Sequence, residues 1–319
     1  MSDSIQRLAA PRRRSKARKT LLSVLRCWQV YVMLLPALIY ITLFAYKPMY
    51  GVLIAFKTYK MKLGIMGSPW CGLDNFYRLF NSYWFPITVR NTLTLSLLSL
   101  VLGFPLPIIL ALMLNELKSE GIRRTIQTVS YAPHFISTVV LCSMVTLFLS
   151  PSSGAINKFI EFFGGKPVSF MASAPMFKWI YVLSGVWQGV GWSSIIFTAA
   201  LAGVDKSLLE AADIDGATRI QKIWYVNVPV LIPTIVIMLI LQCGSLLSVG
   251  YEKVYLLQNS MNLNASEVIN TYVYKQGLTS TLPQYSSATA IGLFVAIVNL
   301  ILLATVNGVT GRLSGSSLW

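Results

Sequence analysis

The chain has 319 residues, of which 55% are apolar and only 12% charged, with a formal net charge of +15. Soluble domains carry roughly 25% charged residues, so this balance excludes an ordinary water-soluble fold and points to a polytopic membrane protein. The basic excess does not point to nucleic acid, because the lysines and arginines do not line one water-exposed face. The polar stretches are also too short to bury a core of their own.

Six charge-free intervals lie between Arg26 and Lys47, Arg90 and Glu116, Arg124 and Lys158, Lys178 and Asp205, Lys222 and Glu252, and Lys275 and Arg312. Each holds the ~20 residues that cross a bilayer core. The expected fold is all-α with six transmembrane helices. The expected layout is a basic N-terminal segment at 1–26, a membrane domain at 27–311 and a tail at 312–319.

Arg12, Arg13, Arg14, Lys16, Arg18, Lys19 and Arg26 precede the first apolar run. A secretory signal begins similarly, but Cys27 to Tyr46 gives twenty uncharged residues with no small-x-small cleavage site after them. A first spanning helix is expected, with the basic cluster holding the N-terminus in the cytosol. Six spans return the C-terminus to the same side of the membrane.

The first external stretch, Lys47 to Pro86, is rich in Gly, Pro and aromatic residues. It suits either a folded cap or an interfacial aromatic belt, and Lys57, Lys60 and Lys62 run against the positive-inside rule. Spans at about 91–115 and 126–149 follow, with Pro105, Pro107 and Pro133 expected to kink or interrupt them. His134, the only histidine, is expected to be packed or hydrogen-bonded at a helix end. Cys27, Cys71, Cys142 and Cys243 show neither a disulfide framework nor metal spacing.

The fourth span contains Trp187, Gln188, Gly189 and Trp192, too deep for all to be interface anchors. Sugars present C–H faces and a rim of hydroxyls, so aromatic rings beside amides suit a saccharide path, while Gly189 and Gly191 equally suit close helix packing. Next comes a polar interruption between the fourth and fifth apolar runs, Asp205 to Pro229. Ser207 and Glu210 stand in a capping-box pattern that predicts a helix through Asp213. Gly216 permits a bend to a second segment over 217–224, and Pro229 sits in the first turn of the next run. In the fifth span, Gln242, Ser245, Ser248 and Glu252 are spaced as one helical stripe, suiting either interhelical hydrogen bonds or a translocation path. The sixth span covers roughly 286–307.

Glu210, Ala211 and Ala212, then three residues, Gly216, nine residues, Val226, one residue, and Val228 with Pro229 resemble the EAA signature of membrane permeases in binding-protein-dependent ABC importers. Valine stands where the family form carries Ile and Leu. EAADIDGA is similar to the carbohydrate-uptake branch in particular, as are LPALIYITLFAYKPMYGVLIAFKTYK, GLDNFYRLF and RRTIQTVSYAPHFIS. The resemblance runs from Leu34 to the sixth span.

That resemblance implies an ABC importer type I permease whose Glu210, Ala211, Ala212, Asp213, Asp215 and Gly216 couple to an ATPase. The implied substrate path includes Trp187, Gln188, Gly189, Trp192, Gln242, Ser245 and Ser248. Implied partners are a second, different permease, two ATPase subunits, an extracytoplasmic solute-binding protein and a carbohydrate, an oligosaccharide being favoured over a monosaccharide. ATP and Mg belong to the ATPase, and no cofactor or metal is expected in this chain, which lacks the G-x-x-x-x-G-K-[ST] phosphate loop. The alternatives are a permease for a non-sugar solute, an intramembrane enzyme, or an ion-coupled transporter. An enzyme would need a nucleophile and base converging in a pocket. A secondary transporter would normally need carboxylates at membrane depth, and the six intervals hold none.

Overall fold

The computed structural model describes residues 28–315 and 317–318. The basic N-terminal cluster and Cys27 lie outside the described residues. The chain divides into two compact units after Leu53.

In the first unit, α1 (Trp28–Ile41) is apolar throughout and leads through a π-turn at Thr42–Tyr46 into a short helix at Lys47–Met49. The stop expected at Lys47 does not occur. Pro48 occupies the first turn of the next helical segment, where a missing N–H costs least. A lysine at a span end can also lay its stem along apolar surface, so its charge alone does not end a helix.

The second unit opens with a folded cap. Lys57, one of the lysines at odds with the positive-inside rule, is buried, and its ammonium donates to the carbonyls of Ile65 (2.8 Å) and Met66 (3.2 Å). It also lies 5.0 Å from the Trp70 ring centroid, a cation–π contact. Asn75 donates to the carbonyls of Ala55 (2.8 Å) and Lys57 (3.2 Å). Ser286 donates to the Lys57 carbonyl (2.7 Å) and accepts from the Tyr59 N–H (2.9 Å), which ties the cap to the last helix. Lys57 is therefore a bolt inside the cap.

The long helices follow: α2 (Trp84–Gly103), α3 (Pro105–Asn115), α4 (Glu120–Tyr131), α5 (Thr138–Phe148) and α6 (Ala174–Leu201). Then come α7 (Lys206–Ile214), α8 (Val228–Gly244) and α9 (Tyr285–Ser314). Among the described residues five stretches are long and apolar enough to cross a membrane: Trp28–Phe56, Trp84–Asn115, Ala174–Leu201, Arg219–Gly244 and Tyr285–Arg312. α4 and α5, with the 3₁₀ turn between them, count as a sixth crossing if their 97° bend is one broken span.

The prolines act differently. Pro105 and Pro107 fall in the first turn of α3, and α2 and α3 remain one span broken only at Phe104. Pro133, by contrast, heads a 3₁₀ turn at Ala132–Phe135, after which Ser137 caps α5 by accepting from the Val140 N–H (3.3 Å). The single helix expected over 126–149 is thus two helices, because a new N-cap starts the second one.

Helix α6 is the centre of the unit and packs on α2, α3, α4 and α8. Ala111, Phe197, Leu201 and Leu231 knit α3, α6 and α8 together. Lipid is as apolar as these side chains, so close approach rather than water exclusion holds membrane helices together. Gly191 provides it: a Cβ there would lie 2.0 Å from the Ser130 carbonyl oxygen of α4.

The fifth span departs from expectation at both ends. It begins in the polar loop, since Arg219–Lys222, a π-turn at Ile223–Asn227 and α8 form one continuous stretch. It ends at Gly244, so Ser245, Ser248 and Glu252 do not continue a helical stripe with Gln242. A Cβ at Gly244 would meet Leu303 of α9 at 2.5 Å, so the backbone itself packs there. The unwound residues find partners on other helices. Ser96 donates to the Leu246 carbonyl, the Leu247 N–H donates to Asn299 (3.2 Å), and Asn270 donates to the Val249 carbonyl (2.7 Å). Non-helical backbone at such depth is tolerated where protein satisfies it or a cavity is lined.

Short helices at Tyr251–Leu257, Leu263–Ser266 and Ile269–Tyr274 follow. Glu267, only 4% exposed, pairs with Lys275 at 2.6 Å and accepts from Thr271 (3.0 Å) and Gln258 (3.1 Å). Asn91 of α2 donates to the carbonyls of Asn264 (2.8 Å) and Glu267 (3.0 Å), anchoring this network to the long helices.

Candidate translocation cavity and coupling loop

The loop at Asp205 to Pro229 is organised by local hydrogen bonds. Asp205, not Ser207, caps α7: its side chain accepts from the Ser207 N–H at 2.9 Å. The Ser207–Glu210 capping box is not formed, because an anionic acceptor two residues earlier already meets the helix N-terminus. These hydrogen bonds, first the backbone one and then that of the Ser207 side chain, hold the Asp205 carboxyl below its ordinary range.

Helix α7 ends in a Schellman motif, with Ala217 N–H donating to the Ala212 carbonyl (2.9 Å) and Gly216 N–H to that of Asp213 (3.1 Å). Gly216 sits at the left-handed position, φ +72°. This explains why a glycine stands at that distance from the Glu-Ala-Ala triplet. Thr218 and Gln221 form the capping box of the next segment, and Lys222 closes the loop on Asp213 at 2.7 Å. Glu210, Ala211 and Asp215 are exposed, as are Leu208 (52%), Ile214 (86%) and Ile220 (68%). The loop thus offers an apolar surface edged by carboxylates.

Pro229 lacks an N–H, and the wider π-turn at Ile223–Asn227 precedes it without breaking the helix. Within that turn, fully buried Asn227 donates to Glu116 at the end of α3 (3.3 Å). Among the described residues its Oδ1 has no partner. This contact joins the loop to the α2–α3 span, which lines the cavity described next. Sequence reasoning passed over Asn227, although an amide between Val226 and Val228 was a visible signal.

A cavity of about 270 Å³ lies between α2, α6 and α8. Gln188 and Gly189 line it from α6, Gln242 from α8 and Ser99 from α2. Gln188 also donates to the Ile136 carbonyl (2.8 Å), so it braces the break between α4 and α5. A second cavity of about 190 Å³ shares Ser99, Tyr181 and Gln242 and adds Ser245 and Ser248 from the unwound segment. Unwinding, rather than a helical stripe, brings the two serines beside Gln242.

Trp187 and Trp192 line neither cavity and are about half exposed. Trp192 stacks on His134, ring centroids 4.5 Å apart and planes 4° from parallel, which gives the histidine its packing partner. The two glycines divide the roles considered for them: Gly189 lines the cavity, whereas Gly191 carries the close approach of α4. Among the polar lining residues that went unnoticed in the sequence are Ser99, Ser193, Tyr181 and Lys253. Lys253 falls just outside a charge-free interval, so only folding reveals that it faces inward.

The family model described as "binding-protein-dependent transport system inner membrane component" matches residues 103–314. The polygalacturonan/rhamnogalacturonan transport system permease protein YteP of Bacillus subtilis (strain 168) is 42% identical over 295 residues, covering 92% of this chain and 91% of that protein. The crystal structure of a bacterial ABC transporter involved in import of the acidic polysaccharide alginate contains a chain of 40% identity and TM-score 0.86, covering 93% of this chain and 99% of that one. The bacterial alginate ABC transporter in complex with an alginate pentasaccharide-bound periplasmic protein gives the same identity and TM-score, covering 93% and 98%. The EAA spacing, the helical architecture and these matches agree: this chain belongs to the inner membrane components of binding-protein-dependent transport systems, the multi-pass permease subunits of ABC importers.

Proposed function

We propose that this chain forms one half of the membrane pathway of an ATP-driven oligosaccharide importer, pairing with a second, different permease. An extracytoplasmic binding protein delivers the sugar. Two ATPase subunits, which carry ATP and Mg, dock on the loop that presents Glu210, Ala211, Ala212, Asp213, Asp215 and Gly216. Both termini and this loop face the cytosol, with 1–26 and 312–319 flanking the membrane domain. Support comes from the transport of polygalacturonan/rhamnogalacturonan named for one relative and of alginate for another. The cavity walls add amides and hydroxyls suited to a saccharide's rim, whereas a non-sugar solute has no comparable support.

The observation that carries this reading is the path from loop to cavity within one chain: α7, the Asn227–Glu116 contact, and the α2–α3 span that lines the cavity. Closure of the ATPases moves the loop, and this path turns the cavity from one side of the membrane to the other. ATP binding the closed ATPase state more tightly supplies the bias.

The test is reconstitution of the full complex in liposomes, with ATP hydrolysis and labelled oligosaccharide uptake measured together. Glu210→Lys reverses the charge of the docking edge. Gly216→Pro forces φ to about −65° where the loop needs a left-handed residue. Both variants are expected to keep basal hydrolysis and lose uptake; normal uptake in both would refute the coupling role.

A further inference from the structure

One charged side chain lines the cavity among otherwise neutral groups. Lys253, on the short helix after the unwound segment, donates from its ammonium to the Tyr181 carbonyl of α6 (2.9 Å) and lies 4.8 Å from the Tyr181 ring centroid. Gly185 leaves it room, since a Cβ there would come within 3.0 Å of the nitrogen. Among the described residues no carboxylate lies within ion-pair distance of Lys253. The other polar walls are amides and hydroxyls: Gln188, Gln242, Ser99 and Ser193. An ammonium held partly buried in a cavity wall without a counter-charge is costly, and an ionisable group there points to a ligand of opposite sign.

We infer that Lys253 is the carboxylate-reading residue of this cavity and that the solute is an acidic oligosaccharide built of hexuronate units. The inference rests on the oligosaccharide reading above and adds its charge. In this arrangement the sugar's carboxylate meets the two ammonium N–H groups that Tyr181 does not use. The ring hydroxyls meet the amides and serines. Nothing anionic on the walls opposes entry, whereas a neutral sugar would leave the ammonium unpaired.

The experiment uses the full reconstituted complex with its binding protein in molar excess over the complex. Two labelled probes are compared: a short hexuronate oligomer, and the same oligomer with its carboxyls reduced to hydroxymethyl groups. Uptake of each is measured for the unaltered complex, Lys253→Met and Lys253→Arg. Lys253→Met is expected to lower hexuronate uptake at sub-saturating ligand by about tenfold or more, the scale of one charge-assisted hydrogen bond. Uptake of the reduced oligomer should not change, and Lys253→Arg should retain most hexuronate uptake. Equal loss of both probes in both variants, or no loss in either, overturns the inference and makes Lys253 a packing residue. Uptake of the reduced oligomer alone by the unaltered complex also overturns it. If the unaltered complex takes up the hexuronate alone, restoration by Lys253→Arg sustains the inference and failure of both variants overturns it. Uptake of neither probe removes the oligosaccharide reading and the inference together.

Discussion

The loop at 205–229 and the segment at 245–275 both interrupt the helical pattern, yet they are anchored differently. From Asp205 to Lys222 the loop's bonds span two to nine residues, Asp205 to Ser207, Thr218 to Gln221 and Asp213 to Lys222, while Asn227 at its end reaches Glu116. In the segment at 245–275, short-range bonds such as Glu267 to Lys275 are joined by anchors to distant parts of the chain: Ser96 reaches Leu246, Asn299 reaches Leu247, and Asn91 reaches Glu267. A structure made of local bonds can persist while the loop moves against a partner. One made of long-range bonds fixes the helices around a cavity and cannot move without disturbing them.

If this contrast holds, substitutions should hurt stability most in the long-range region. Lys275→Met leaves the carboxylate of Glu267 buried beside Gln258 and Thr271 without its cation. Glu267 is buried but Lys275 is 34% exposed, so the cost falls below the about 3–5 kcal/mol of a fully buried pair broken from one side, and a clear drop in the thermal midpoint of the purified complex is expected. An unchanged midpoint would remove the distinction between the two regions.

Gly191→Ala places a methyl group against the Ser130 carbonyl, and overpacking of this kind costs about 1–3 kcal/mol. The same measurement should show a smaller but clear loss. Gly189→Ala, with open space at that position, should show almost none, and equal effects at both glycines would contradict the assignment of close packing to Gly191 alone.

The smallest effect belongs to the loop. The Asp205 carboxyl titrates below its ordinary value in the folded chain, so its cap contributes fully above the usual aspartate range. The contribution fades as pH falls through that range and the lowered folded value. Asp205→Ala should remove this pH-dependent fraying of α7, read as amide exchange at Ser207 and Leu208, and leave the thermal midpoint of the whole unit nearly unchanged. A cap that protected these amides equally at acid and neutral pH would need a different explanation.

The loop was legible in the sequence because its determinants lie close together in it. The spacing from Glu210 to Gly216 predicts helix and bend, and the Schellman bonds supply them. The error there was also local: Asp205 outcompetes Ser207 as cap. The cavity was half legible. Gln188, Gln242, Ser245 and Ser248 stand out as polar residues in apolar runs, and all four line the two cavities. Lys253 and Tyr181 did not stand out, since a lysine beyond an apolar run and a tyrosine within one are ordinary.

By itself the sequence determined the helical class, the approximate spans and the EAA motif, because hydropathy and short-range hydrogen bonding are written in neighbouring residues. Tertiary structure decided where Pro133 breaks a span while Pro105 and Pro107 do not, why α8 stops at Gly244, and which way Lys253 points. Each of those outcomes depends on partners far away in the chain, such as Gln188 for the Ile136 carbonyl, Leu303 for Gly244 and Tyr181 for Lys253. A buried backbone group or charge is stable only where a partner meets it, and that partner exists only once the helices have packed.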